Sequence, residues 1–325
     1  MISKGFSLVE LAVALAIIAL LLAGAMIPLS TQIDVRNSVD TQRSMESIRD
    51  AIIGFAQANG RLPCPANGGT PAGTVDTTTW PTSVGAGAEQ WDPNNNRCYI
   101  AFGVVPWTTL GVSETDAWGR RLTYRVAPAF ADAISLNTWQ SRQTAIPGPG
   151  IFVPTQVAPF PASPGDQNPT CPSSTPPLVS PFVLSPAPAL SSFALCSLGD
   201  IAVFTRGGAT TTAVPLGTAL PAIFISHGKN GFGAWQTNGT RLNPIPAGND
   251  EAANALGNVT ATPSGGYVNQ TFYSRTRAPA VAGCVDPAPP PAPQSAAPPC
   301  EFDDIVVMIS TGALITRMVA AGRLP

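Results

Sequence analysis

The stretch KGFSLVELAVALAIIALLLAGAM, residues 4–26, decides how this chain is read. One acid, Glu10, stands at the head of an otherwise apolar run, and the next charge is Asp34. A charge at the centre of a membrane helix costs about 2.5–3.5 kcal/mol on insertion scales, so an acid placed there needs a named partner. Residues 11–33 hold no charge, and about 20 such residues, each rising 1.5 Å, span a bilayer. Lys4 precedes the run, which favours a cytoplasmic N-terminus and an exported C-terminal body.

Composition supports an exported, folded protein. The chain has 325 residues, of which 11% are charged, and its net charge is −2. Nothing in that balance points to nucleic acid, since phosphate binding relies on clustered Lys and Arg. The 35 prolines and 30 glycines exceed the average of about 12% of residues and fall below the 25–30% of disordered chains. Long irregular loops on a folded body are expected. Cys64, Cys98, Cys171, Cys196, Cys284 and Cys300 include no C-x-x-C pair. An even count on an exported chain suggests disulfides. Pairing in sequence order, Cys64–Cys98, Cys171–Cys196 and Cys284–Cys300, is the expectation, with buried free thiols as the alternative.

The N-terminus admits three readings. An ordinary signal peptide would use residues 1–4 as its charged start and AGA at 23–25 as its cleavage site, leaving a secreted binding protein or enzyme that begins at Met26. A plain uncleaved anchor would keep Met1. Neither accounts for Glu10, nor for the glycine before FSLVEL.

The motif KGFSLVEL, a basic residue, Gly, Phe, a small polar residue, two aliphatics, Glu and Leu, followed by about 20 apolar residues, resembles the class III leader of type IV pilins and type II secretion pseudopilins. The resemblance implies that a prepilin peptidase cuts between Gly5 and Phe6 and that the new N-terminus, Phe6, is methylated. It implies that Glu10 pairs with the N-terminal ammonium of a neighbouring subunit. Two charges that are costly alone in a low-dielectric medium attract strongly when adjacent, and amine methylation keeps the charge. The implied product is a structural subunit and not an enzyme. It is first held in the bacterial inner membrane by a single span, with its head in the periplasm, and later sits in a periplasmic or surface filament. The implied partners are the peptidase, other pilin-like subunits and an inner-membrane assembly platform. A type II secretion pseudopilus that drives protein export is the leading expectation. A minor type IV pilin serving adhesion, motility or DNA uptake is the alternative.

Four segments are expected: a leader at 1–5, a transmembrane helix half at 6–28, an amphipathic half at 29–58, and a globular head at 59–325. In the amphipathic half Met45, Ile48, Ile52 and Phe55 step by three and four, an apolar stripe for packing on the head. Pro28 removes one helical hydrogen bond and is expected to kink the helix. Asn59-Gly60 ends it. At about 1.5 Å per residue a helix over 6–58 is about 80 Å long.

In the head, Leu122, Tyr124 and Val126 alternate with Thr123 and Arg125, which predicts a half-buried strand. With the runs at 200–207, 221–228 and 302–310 it gives four candidate strands of one antiparallel sheet. IAFGVVPWTTLG, 100–111, reads as an apolar segment broken by Pro106. DAWGRRLTYRV, 116–126, resembles the strand entry of pseudopilin heads, with Trp118 as a packing anchor. A final helix at 311–325 would put Leu314, Ile315, Met318 and Val319 on one face. The fold class is therefore α+β and pilin-like: a long N-terminal helix packed on a small antiparallel sheet. Two proline-rich insertions, 146–195 and 285–299, interrupt the head and cannot supply regular strand hydrogen bonds.

No catalytic motif stands out. His227 is the single histidine and reads as a turn residue. Its neighbour Ser226 points to the other side of a strand, so the two do not form a nucleophile and base. No cofactor is expected. For a metal, the resemblance raises calcium, which some major pseudopilins hold in a late loop. The candidates here are Asp250 and Glu251, with Asn238, Asn243 and Asn249 nearby, a thin acid supply for a cation that takes six to eight oxygens. Asp303 and Asp304 are read as capping a strand or pairing with Arg317 or Arg120.

Overall fold

The computed structural model describes residues 7–76, 83–93, 97–131, 199–206, 213–242, 248–256, 271–286 and 300–323, the side chains of 21–31, 97, 128, 129 and 256 excepted. Helix α1, Leu8–Asn59, is 52 residues long. It is assigned as one helix through Pro28. Gly60 closes it in the left-handed region, φ 72°, with its N–H on Ala56 O; a residue without Cβ takes that conformation at little cost.

The two ends of α1 meet different surroundings. Thr41, Met45, Ile48, Ile52 and Ala56 are fully buried in the head. Phe55, expected on that stripe, is half-buried instead, with the Arg61 guanidinium 5.2 Å from its ring centre; Ala56 completes the seam. At the other end, residues 7–20 are exposed on every side, including Leu8, Leu11, Leu15, Ile17 and Leu20. Among the described residues no helix is long and apolar enough to cross a membrane.

Seven strands of three residues or more follow among the described residues: β1 Phe102–Val104, β2 Thr123–Val126, β3 Ile201–Thr205, β4 Val214–Leu220, β5 Ala222–Ser226, β6 Thr271–Tyr273 and β7 Ile305–Ile309. The main sheet has the order β7-β5-β2-β1, all antiparallel. Its centre, β5, is buried at every residue. Phe224 faces Tyr124 across one pair and Val307 across the other. The core joins this sheet to α1 and to helix α3, Thr311–Ala320.

Two expectations about the head are corrected. The strand at 201–205 does not join the main sheet. It lies in a second sheet, β6-β3-β4, parallel to β6 and antiparallel to β4. Its place in the main sheet is taken by β1, from the segment read as merely broken by Pro106. Strand β2 is not half-buried: all four of its residues are buried. Its polar side chains are covered and partnered, Arg125 by Asp200 at 2.7 Å and Thr123 Oγ1 by His227 Nε2 at 2.7 Å. On α3, Leu314 and Met318 are fully buried, but Val319 is 44% exposed. The helix is tied to the end of α1 by Gln57 Nε2 donating to Arg317 O and by Arg323 Nε donating to Gln57 O.

The turn before β2 is organised by Asp116. Its Oδ1 accepts from Trp118 N at 2.9 Å and Arg120 N at 3.0 Å, and its Oδ2 accepts from Ser226 Oγ at 2.6 Å. Gly119 sits at φ 78° and donates to Asp116 O. Trp118, half-buried, lies 5.9 Å from the Arg277 guanidinium. Asp116→Ala strands the fully buried Ser226 hydroxyl and two backbone donors. It is expected to cost about 2 kcal/mol, read as a lowered midpoint in urea unfolding of the detergent-solubilised chain.

Cys64–Cys98 and Cys284–Cys300 are disulfide-bonded. Cys171, Cys196, the insertion at 146–195 and all but residues 285 and 286 of the insertion at 285–299 lie outside the described residues.

Candidate functional site: the N-terminal segment and a buried acidic cluster

Ser7 is the N-cap of α1 and Glu10 its third residue, and the two form a capping box. Ser7 Oγ accepts from Glu10 N at 3.2 Å. Glu10 Oε2 accepts from Ser7 N at 2.9 Å and from Ser7 Oγ at 3.0 Å. This reciprocal pattern satisfies two helix-end donors at once. The sequence reading gave Glu10 a role and left Ser7 without one. The spacing Ser-x-x-Glu at 7–10 was the available signal. Gly5 and Phe6 lie outside the described residues. The box is built entirely from residues after Phe6, so a cut between Gly5 and Phe6 would leave it in place.

The acids weighed for calcium separate in the structure. Both lie on helix α2, Asn249–Leu256, and face different partners. Asp250 is fully buried. Arg206 Nε donates to both of its oxygens, at 3.1 and 3.0 Å, and Arg275 Nε stands 3.0 Å from Oδ2. Arg275 also pairs with Asp286 at 3.3 Å. Burial and the Asp286 charge push the Asp250 carboxyl up, to about 6, against the two guanidiniums. Two arginines therefore occupy its oxygens. Asn238 is spent on Thr240, and Asn249 donates to Asp286 O at 2.6 Å. Asn243 lies outside the described residues.

Glu251 meets Asp303 and Asp304, and one oxygen of each of the three lies within 4.8 Å of the others. Glu251 Oε1 accepts from Asp303 N at 2.7 Å, and both Glu251 oxygens lie 3.2 Å from Asn230 Nδ2. Asp303 Oδ2 accepts from Asn230 N at 2.8 Å. Asp304 Oδ2 accepts from Asn254 Nδ2 at 2.8 Å, and its Oδ1 lies 3.4 Å from His227 Nδ1. Burial, then the charge of Asp304, raises the Glu251 carboxyl well above its ordinary range, and burial also raises Asp303. The reading of Asp303 and Asp304 as partners of Arg317 or Arg120 is therefore corrected. Arg120 instead donates to the carbonyls of Gly228 and Lys229.

His227, read as a turn residue, directly precedes the turn at 228–230 and is 1% exposed, a member of this cluster. Ser226 and His227 do diverge, to Asp116 and to Thr123 with Asp304. Thr123, His227 and Asp304 line up as hydroxyl, imidazole and carboxylate. The hydroxyl belongs to a strand residue that is 2% exposed.

Residues 1–26 match the family described as "Prokaryotic N-terminal methylation motif". That is the class III prepilin-type N-terminus of type IV pilins and type II secretion pseudopilins. No curated protein and no solved structure matches the chain. The motif fits a structural subunit that is processed by prepilin peptidase and assembles with other pilin subunits.

Proposed function

We propose that the chain is a subunit of a type II secretion pseudopilus, anchored in the inner membrane through residues 6–28 and built into a periplasmic filament. The observation that carries this reading is the exposure of residues 7–20 on all sides ahead of a head with its own closed core. A helix apolar all round is stable only in an apolar environment, which lipid supplies before assembly and sister helices supply after it. Prepilin peptidase cuts between Gly5 and Phe6, Phe6 is methylated, and Glu10 pairs with the ammonium of a neighbouring subunit. That pair fixes the axial stagger between subunits. Addition of subunits at the membrane base pushes exported protein outward, so the work done is mechanical.

N-terminal sequencing of the mature chain, by mass spectrometry of the membrane and filament fractions, tests the reading. The expected first residue is an N-methylated Phe6. A mature chain starting at Met26 would overturn it in favour of an ordinary signal peptide, and one starting at Met1 in favour of a bare anchor.

A further inference from the structure

The two acids on α2 pose a contrast inside one helix. Asp250 and Asp286 are balanced by Arg206 and Arg275. Glu251, one residue further on, and its neighbours in space Asp303 and Asp304 form no ion pair with a lysine or arginine among the described residues. Arg277 acts on Asp303 through its charge alone. The three residues are 1%, 9% and 7% exposed. Three carboxylates so placed repel one another, and their Asn and backbone donors carry no full charge.

A second feature points into the same place. His227, 1% exposed, has a buried Nδ1 without a hydrogen bond, aimed at Asp304 Oδ1 from 3.4 Å. Its other nitrogen, Nε2, is held 2.7 Å from Thr123 Oγ1. When Nε2–H donates to that hydroxyl, Nδ1 presents a lone pair to the acids. This is how a metal-bound imidazole is normally oriented, through a hydrogen bond from the nitrogen that does not bind. Asp303 Oδ1 is likewise buried without a hydrogen bond. The backbone makes room as well: a Cβ on Gly228 would lie 2.4 Å from Asp303 O and 2.7 Å from Asp303 Oδ1.

The geometry points to a binding site for one first-row divalent cation, zinc or manganese, held by Glu251, Asp303 and Asp304 with His227 Nδ1 as the nitrogen donor. The nitrogen decides the class. Calcium and magnesium take oxygen alone, whereas imidazole with carboxylate suits zinc and manganese. A cation about 2.1 Å from each ligand holds its ligands about 3–4 Å apart, so carboxylate oxygens within 4.8 Å need only small rotations. Bound there, the cation would join α2, the turn after β5 and the lead-in to β7, three pieces of chain that are distant in sequence.

The test uses the full chain in detergent, stripped with a chelator and dialysed separately against zinc, manganese, calcium and magnesium. Elemental analysis and thermal unfolding are read together. About one zinc or manganese per chain is expected, with the unfolding midpoint raised by several degrees when free cation exceeds Kd about 100-fold. Glu251→Gln and His227→Gln are each expected to lower occupancy tenfold or more, with near-ultraviolet circular dichroism confirming the fold. The inference is overturned if no cation is retained and none moves the midpoint, above all if acid alone raises it, since protons would then neutralise the cluster. Retention of calcium alone, or undiminished zinc and manganese in Glu251→Gln, also overturns it. Should a variant fail to fold, the stoichiometry of the unsubstituted chain decides.

Discussion

Glu10→Ala is expected to leave the head folded and the precursor in the membrane, while its incorporation into filaments falls about 100-fold or more. The head is indifferent because the residues of α1 fully buried in it begin at Thr41, far along the helix from Glu10. Among the described residues Glu10 makes the capping box with Ser7, and loss of such a cap costs about 1 kcal/mol, locally. In a filament the loss is of another size. Removing one partner of a buried ion pair leaves the other charge uncompensated, typically about 3–5 kcal/mol worse. Glu10→Gln separates the two effects. Glutamine also serves at the third position of a capping box, so the helix start survives, yet it carries no charge to meet an ammonium. It is expected to fail in assembly as Glu10→Ala does. Co-purification of each variant with unsubstituted subunits, against head stability by circular dichroism, checks the pair. Normal assembly of Glu10→Gln would assign the residue to capping alone.

Joint replacement of Cys64 and Cys98 by serine is expected to destabilise the head by about 4 kcal/mol. The bond closes a loop of sequence separation 34, and cross-linking a loop of that length removes about that much denatured-state entropy on the chain-entropy model. The site is also where α1 hands over to the head. Arg61 pairs with Glu89 through two 2.8 Å bonds, Cys64 N donates to Glu89 Oε2 at 3.0 Å, and Trp91 lies 3.7 Å beneath the guanidinium. Losing the cross-link loosens the junction through which a filament would load the head. The same change at Cys284 and Cys300, with a separation of 16, is expected to cost less, about 3 kcal/mol. Denaturant midpoints of both double variants, compared under oxidising conditions, give the measurement. Equal losses would count against loop length as the cause.

Much of the outline was legible in local patterns. The stepped apolar residues from Met45 to Ile52 carried the buried seam, because an amphipathic helix needs only its own periodicity to declare a face. The apolar runs around 203, 224 and 307 declared strands for the same reason. What they could not declare was partnership. Strand β3 pairs with β6 and β4, and β1 joins the main sheet, because pairing is settled by which faces the whole core can cover. Arg125 and Thr123 looked solvent-facing by alternation, and Asp200 and His227 made them interior.

The sequence by itself determined the N-terminal motif, the apolar run, the position of the helix stop at Gly60 and the supply of cysteines. Each is written in a short window of chain, where caps, charge and periodicity act between near neighbours. Only the tertiary structure decided that neighbouring acids on α2 part ways, Asp250 to two arginines and Glu251 to Asp303, Asp304 and the reach of His227. Those encounters join residues tens of positions apart, and their energies come from burial and exclusion of water. No local pattern carries that information.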